Sequence, residues 1–220
     1  MENIKLLSTL KVFICVVLSM QSADGYTILP LDYEDTELPR YPFPFVSRHG
    51  WNAGPPLQKT PLETPVPFVV IHHTYTPGAC NSRDECNRAM KSMQAFHVDE
   101  RGWWDIGYNF CVGGDGSVYE GRGWDTVGAH ALHFNTVSIG ICLIGNWNET
   151  IPSSTQTDLA QSLIAAGVDQ GFVRIDYKLT GHRQVRDTEC PGQALYTLIQ
   201  TWPHYTAGNF TRGNTTGSYQ

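Results

Sequence analysis

The sequence is poor in charge and has no long apolar run, and both shortages narrow the classes of protein to which it can belong. Only 16% of the residues are Asp, Glu, Lys or Arg, and the formal net charge is -6 at pH 7. A nucleic-acid-binding domain normally presents a basic surface, so this charge balance argues against a nucleic-acid partner. No stretch reaches the roughly 20 apolar residues that a membrane-spanning helix needs. A hydrophobic fraction of 41% is instead typical of a globular chain.

The chain also has no internal repeat and no His-Glu-x-x-His sequence, which leaves it without a helical two-histidine zinc site. Its 220 residues are enough for one domain with a hydrophobic core. Residues 24–45 are rich in proline and acidic residues and predict an extended leader, while residues 46–205 form the predicted domain. Residues 206–220 are polar and rich in glycine and threonine, which predicts a flexible tail.

The first 23 residues are typical of a secretory signal peptide. Lys5 and Lys11 give a weakly basic start, residues 12–18 are apolar, and small residues follow at 22–23. An uncleaved anchor or a poorly ordered tail is the alternative interpretation. We therefore expect the mature protein to be secreted.

Two further features fit an oxidising, extracellular environment. Cys80 and Cys86 flank a short polar loop and could close a small disulfide, although two unrelated thiols would give the same pattern. We expect Cys111 and Cys142, which lie in apolar runs, to be buried small hydrophobic side chains. Three sequences of the form Asn-x-Ser/Thr are acceptors for N-glycosylation: Asn148, Asn209 and Asn214.

The apolar pattern predicts an α/β fold. Runs with β-branched content indicate four strands, at residues 67–72, 106–112, 117–120 and 138–144. A glycine-rich turn at 113–116 would join the second and third strands as a hairpin. Three helices are predicted, at 83–98, at 155–170, and from Pro191 to just before Trp202. Strands that alternate with helices indicate a single domain with a central mixed β-sheet flanked by about three helices.

Two histidines and a cysteine form a candidate metal site. His72 ends the first predicted strand, and His182 and Cys190 lie on one loop before the last helix. Two imidazoles and a thiolate suit Zn²⁺ and leave the fourth tetrahedral position for water, as in catalytic zinc sites. A cysteine hydrolase, with Cys190 as nucleophile and His182 as base, is the alternative, but it leaves His72 without a role.

These residues, with the sequences around them, resemble the peptidoglycan recognition protein family, which is related to zinc amidases of the bacteriophage lysozyme type. The resemblance covers about residues 46–205. One departure is Asn52, where the family usually has glycine; asparagine tolerates a positive φ better than most residues. The motifs that carry the resemblance lie at 71–74, 80–86, 101–110, 115–124, 128–130 and 181–192.

The resemblance implies a function and roles for further residues. The family contains zinc amidases and pure binders that have lost the cysteine ligand, and here Cys190 is present. Tyr108 stands at the position of the family's catalytic tyrosine, and Thr188 at a position that assists in related amidases. The implied protein is a secreted Zn²⁺-dependent N-acetylmuramoyl-L-alanine amidase of insect-like, catalytic type, acting in innate immunity. A non-catalytic receptor that binds peptidoglycan is the alternative.

The resemblance also implies a substrate, which is bacterial peptidoglycan or its muropeptides. Gly102, Trp103 and Arg122 match residues of members that prefer diaminopimelic acid over lysine in the stem peptide. Arginine pairs bidentately with a carboxylate, and diaminopimelic acid carries an extra one. The alternative interpretation is that Arg122 is an ordinary surface arginine and that Trp103 is a packed tryptophan without a role in binding. His130 follows a Gly-Ala turn, and we expect it to line the substrate groove.

Overall fold

The computed structural model describes residues 41–211, and every structural statement below refers to that part of the chain. The described residues all belong to one compact unit. The predicted signal peptide, most of the predicted leader and residues 212–220, including Asn214, lie outside the described residues. Within the described part, no helix combines the length and apolar character needed to cross a membrane.

Six strands form one mixed sheet, which confirms the predicted fold class. They are β1 Phe45–Val46, β2 Val66–His73, β3 Phe110–Val112, β4 Val118–Glu120, β5 Ser138–Leu143 and β6 Val173–Gly181. Their order across the sheet is β1-β4-β3-β5-β2-β6. Strand β2 pairs in parallel with β5 and β6, and β5 pairs in parallel with β3. The predicted hairpin is present, because β3 and β4 pair in the antiparallel direction.

Three helices flank the sheet: α1 Arg83–Ala95, α2 Ser154–Asp169 and α3 Gln193–Ile199. Helices α1 and α2 begin after Ser82 and Ser153, whose hydroxyls accept hydrogen bonds from backbone N–H groups of the first turn. The prediction extended α1 to residue 98, but the chain forms a π-helical turn over Phe96–Glu100. Gly102, with a φ of 68°, then redirects the backbone as only glycine does without strain.

The predicted strand at 106–112 is too long, because residues 106–109 are irregular. At this point the backbone N–H of Asn109 donates to the carbonyl of Gly140 at 3.0 Å, and its side chain adds further hydrogen bonds. Its Nδ2 donates to the carbonyls of Gly123 and Thr126, at 2.8 and 3.0 Å. Its Oδ1 accepts from the backbone N–H of Gly140 at 2.9 Å. One buried amide thus joins the start of β3 to β5 and to the loop that contains Gly123 and Thr126.

Two strands were missing from the prediction. Strand β1 has only two residues, which is too short to leave a periodic signal. Strand β6 did leave such a signal, because apolar residues alternate with polar residues along Val173–Gly181.

Asn52, which stands where the resembling family usually has glycine, adopts the left-handed backbone conformation with a φ of 54°.

The two faces of the sheet carry separate hydrophobic clusters. Ile139, Ile141 and Leu143 of β5 belong to the cluster that includes residues of α2 and α3. Cys142, between two of them, belongs to the cluster that includes Met90 and Met93 of α1. Because successive strand residues face opposite sides, the face of α1 is also the face of Gly140 in β5.

Two disulfides are present. The bond between Cys80 and Cys86 confirms the pairing considered from the sequence. The expectation that Cys111 and Cys142 are separate buried thiols is wrong, because these two residues form the second disulfide. They lie directly opposite each other in neighbouring strands β3 and β5, with Cα atoms 4.5 Å apart. That spacing is suitable for a disulfide.

Both ends of the described chain contact the domain. Trp124 donates from its indole N–H to the hydroxyl of Tyr41 at 2.9 Å, so the end of the predicted leader is anchored. At the other end, Phe210 donates its N–H to the carbonyl of Gln184 at 2.7 Å. The Phe210 ring meets that of Phe68 at a centroid distance of 5.6 Å. The beginning of the predicted flexible tail therefore lies against the sheet.

The two disulfides should differ in their contribution to stability. Cys111 and Cys142 are 31 residues apart in the sequence, and Cys80 and Cys86 are 6 residues apart. Closing the longer loop removes more entropy from the unfolded chain. The chain-entropy relation gives about 3.7 kcal/mol for Cys111–Cys142 and about 2.2 kcal/mol for Cys80–Cys86. We expect urea unfolding of the two double alanine variants, measured without metal, to follow this order. A larger loss in the variant that lacks Cys80–Cys86 would contradict it.

Candidate metal centre

The pairing of β2 with β6 places two histidines at one edge of the sheet. Ile71 of β2 lies opposite Gly181, the last residue of β6. His72 follows Ile71, and His182 follows Gly181. The two histidines therefore lie together at the carboxyl end of two parallel strands. Their ring centroids are 4.4 Å apart. This is the edge at which open α/β sheets bind their ligands.

The loop after β6 returns Cys190 to the two histidines. The backbone N–H of Arg183 donates to the carbonyl of Cys190 at 2.9 Å, and the Arg183 guanidinium donates to the carbonyl of Glu189. That guanidinium also lies over the ring of Tyr196, 4.7 Å from its centroid. The loop is closed on itself, and the Cys190 Sγ lies 3.7 Å from His72 Nδ1.

The start of α3 holds this loop against the sheet. Gly192 has a φ of 90°, and a Cβ there would overlap the Trp147 carbonyl. The same carbonyl accepts from the N–H of Ala194 at 3.1 Å, while the Trp147 N–H donates to His73 Nδ1 at 3.3 Å. His73 thus joins this segment to β2, and it supports the site without belonging to the group of three candidate ligands.

The three side chains fit a zinc ion. One ligand atom each from His72, His182 and Cys190 can be chosen so that all lie within 4.8 Å of one another. The Nε2 of His182 is buried and has no hydrogen-bond partner within residues 41–211. Burial lowers the pKa of His72 well below its usual value and that of His182 to about 4. Both rings are therefore neutral at pH 7, which is the form that binds metal.

The geometry is less favourable to a cysteine nucleophile. Burial raises the pKa of the Cys190 thiol to about 12, so the metal-free thiol is a poor nucleophile. The imidazole nitrogen within contact distance of its sulfur belongs to His72, not to His182 as that hypothesis required. A bound zinc ion deprotonates a coordinating thiol outright, so the same burial does not prevent metal binding.

Two of the candidate metal ligands, His72 and His182, line a groove with a volume of about 720 Å³. Tyr108 lines it, with its ring centroid 5.3 Å from that of His72. Burial, together with the charge of the nearby Cys190, raises the pKa of Tyr108 above the usual tyrosine value. The hydroxyl therefore keeps its proton at physiological pH and is available as a hydrogen-bond donor.

Two predicted substrate residues line this groove. Trp103 stacks on His97, with centroids 4.7 Å apart, and His97 Nδ1 accepts from the N–H of Gly107 at 3.1 Å. His130 also lines the groove and lies next to His72, with their ring nitrogens 3.0 Å apart. Gly102 supplies the bend before Trp103 and is not among the residues that line the groove.

Two other predicted residues are not among those that line the groove. Arg122 is buried, and its guanidinium donates to the carbonyls of Ile106, Val127 and Asp105, at 2.7, 2.9 and 3.3 Å. Thr188 accepts a hydrogen bond from the N–H of Cys190 at 3.2 Å, which supports the ligand loop. Direct roles of Arg122 and Thr188 towards substrate stay predictions.

Sequence reasoning missed two cationic residues of the groove, Arg101 and Arg186. Both stand inside quoted motifs, since Arg101 precedes Gly102 and Arg186 lies between the two ligands of the loop. Arg101 lies over the ring of Phe96, 5.1 Å from its centroid. Their positions inside the motifs are the signal that could have drawn attention to them.

Comparison with known proteins agrees with this geometry. The family model described as N-acetylmuramoyl-L-alanine amidase matches residues 62–193. Peptidoglycan-recognition protein LB of Drosophila melanogaster is 49% identical over 168 residues, which cover 76% of this chain and 72% of that protein. N-acetylmuramoyl-L-alanine amidase of Homo sapiens is 44% identical over 160 residues, which cover 71% of this chain and 28% of that protein.

Solved structures give the same result. Wild-type Drosophila PGRP-LB superposes with a TM-score of 0.73 at 49% sequence identity, covering 74% of this chain and 95% of that one. Peptidoglycan recognition protein-LE in complex with tracheal cytotoxin superposes with a TM-score of 0.72 at 45% identity, covering 74% and 95%. The chain therefore belongs to the peptidoglycan recognition protein family and contains its N-acetylmuramoyl-L-alanine amidase domain.

Proposed function

We propose that this protein is a zinc-dependent N-acetylmuramoyl-L-alanine amidase that cleaves the amide between N-acetylmuramic acid and the stem peptide of peptidoglycan. The observation that carries the proposal is the juxtaposition of His72, His182 and Cys190, with ligand atoms within 4.8 Å, beside a groove that both histidines line. A binder has no need of the buried thiol among these ligands. The family match and the human amidase among its relatives support the same reaction.

The residues around the metal site suit amide hydrolysis. The chemistry that bound zinc supplies in such a site is polarisation of the amide carbonyl and activation of a water molecule. Tyr108 would donate a hydrogen bond to the amide oxygen as negative charge develops on it, which is typically worth about 2.7–4 kcal/mol. His72 and His182 stay neutral, so they remain ligands throughout the physiological pH range.

The proposed substrate is bacterial peptidoglycan and its muropeptides, with a preference for the diaminopimelic acid type. Solved relatives bind tracheal cytotoxin, which is a monomeric peptidoglycan of this type. Arg101 and Arg186 give the groove a cationic lining, which complements the carboxylates of a stem peptide. The resemblance implies that Arg122 binds the additional carboxylate of diaminopimelic acid. Its Nη1 and Nη2 each donate to one backbone carbonyl, and each has a second N–H for that contact.

We also propose that the protein is secreted and acts in innate immunity. Two disulfides support an oxidising compartment, because such bonds are rare in the cytosol. The side chain of Asn209 is exposed and that of Asn148 is half-exposed, so both acceptors are compatible with glycosylation. Cleavage of muropeptides outside the cell would remove the ligands that immune receptors detect.

The metal requirement is tested by measuring release of stem peptide from a diaminopimelic-type muropeptide. We expect a zinc chelator to abolish activity, added zinc to restore it, and Cys190→Ser to be inactive because a ligand is lost. Glu189→Gln is the matched control, since Glu189 is exposed on the same loop, and it should remain active.

Other outcomes of this assay distinguish the alternatives. Activity that survives chelation would point to a thiol mechanism. Zinc-loaded wild-type protein that binds the muropeptide without cleaving it would be a receptor.

Removal of the Tyr108 hydroxyl should affect the chemical step and leave the metal site intact. For Tyr108→Phe, we expect kcat to fall by about 10²–10³-fold, as for loss of one oxyanion donor. Zinc stoichiometry should stay at the wild-type value. An unchanged kcat would show that Tyr108 serves only as a wall of the groove.

Substrate preference is tested by comparing diaminopimelic-type and lysine-type muropeptides on the same variant. Because Arg122 also supports the backbone, Arg122→Ala should lower turnover of both, and only the ratio of the two kcat/KM values is informative. We expect this ratio to fall towards one in Arg122→Ala and to fall less in Arg101→Ala. Equal loss on both substrates in Arg122→Ala would refute its assignment to the extra carboxylate.

A further inference from the structure

A chain of hydrogen bonds runs from the sheet to the metal ligand His72. It begins at Ser138, whose hydroxyl donates to the carbonyl of Phe134 at 2.8 Å. The proton of this hydroxyl is therefore committed, and its oxygen can only accept from a further partner. The Nε2 of His130 lies 3.4 Å from that oxygen, so this nitrogen carries the ring proton of His130.

The rest of the chain follows from the chemistry of a neutral imidazole. With its proton on Nε2, His130 presents Nδ1 as an acceptor. Nδ1 of His130 lies 3.0 Å from Nε2 of His72, so the proton of His72 must be on Nε2. The Nδ1 of His72 then carries a free lone pair, and it is this atom that lies 3.7 Å from Cys190 Sγ.

We propose that His130 is a positioning residue for the zinc ligand: it fixes the tautomer and orientation of His72 so that Nδ1 faces the metal. The inference rests on the metal site of the proposed function. It also changes the role of His130, which the sequence had suggested as a substrate contact. Both ring nitrogens of His130 are engaged, by Ser138 and His72, so neither is free to bind substrate.

The backbone around His130 is shaped to hold its ring in this position. A Cβ at Gly140, in the middle of β5, would overlap the ring, and so would a Cβ at Gly128. Glycine within a strand often marks such a close approach. The N–H groups of His130 and Ala131 both donate to Oδ1 of Asn135, at 2.9 and 2.8 Å. The ring therefore lies in a narrow space between Gly128 and Gly140, on a backbone held by Asn135.

The test is the zinc affinity of substrate-free protein, measured by competition with a chromophoric chelator. Loss of a partner that orients a metal ligand typically weakens metal binding about 10–100-fold, and we expect this for His130→Leu. His130→Asn, whose Oδ1 can accept from His72, should recover most of the affinity. His97→Leu is the control, since His97 lines the same groove without contacting a ligand, and its zinc affinity should be that of the wild type.

A second measurement does not depend on metal. Long-range ¹H–¹⁵N NMR of the metal-free protein should show His72 and His130 both protonated on Nε2. Ser138→Ala, which removes the acceptor for His130, should weaken zinc binding in the same direction even if His130→Leu does not fold. The inference is overturned if His130→Leu folds and binds zinc as tightly as the wild type, or if His72 is protonated on Nδ1.

The outcomes also separate this inference from the proposed function. Wild-type protein that binds zinc but does not cleave peptidoglycan would overturn the amidase proposal and leave the role of His130 standing. An increase in KM for His130→Leu with unchanged zinc affinity would restore His130 as a substrate residue. That result would overturn the inference while the amidase proposal stands.

Discussion

The candidate site depends on one constraint, which is the register of the parallel strands β2 and β6. His72 and His182 are far apart in the sequence and share one edge only because Ile71 lies opposite Gly181. A shift of one residue in β2 would turn His72 to the other face of the sheet, among the side chains packed against α2 and α3. The short loop from His182 to Cys190 then needs only local hydrogen bonds to bring the third ligand into place.

The same arrangement explains why so many polar side chains are buried beneath the groove. An unpaired buried polar group costs free energy, so native structures satisfy nearly all of them. His72, His130 and Ser138 satisfy one another in a chain that ends on a backbone carbonyl. In the described part of the chain, the Nε2 of His182 is one of four buried side-chain atoms without a partner, and it is the one of the four that belongs to a candidate metal ligand. An unsatisfied nitrogen is thus kept beside the ligand cluster, where a metal ion would be needed.

The fold class and the three candidate ligands could be predicted from the sequence because residue type and local motif carry that information. Sequence reasoning could not identify contacts that depend on which strands are neighbours. The local sequence predicts separate thiols at Cys111 and Cys142, since nothing local indicates that β3 lies beside β5 in matching register. For the same reason, His130 was assigned to substrate, because its contact with His72 crosses from a loop to a distant strand. The regular alternation in β6 was available and was overlooked.

Gly140 shows how the sheet gives up local stability for this site. Glycine in the middle of a strand destabilises it by roughly 0.5–1 kcal/mol relative to alanine. Strand β5 is otherwise fully buried and apolar apart from its first residue, so an alanine would suit it by propensity. A Cβ at this position, however, would occupy the space of the His130 ring. Positions that break a local rule tend to mark function, and here the exception in β5 lies directly beneath the hydrogen bonds that orient His72.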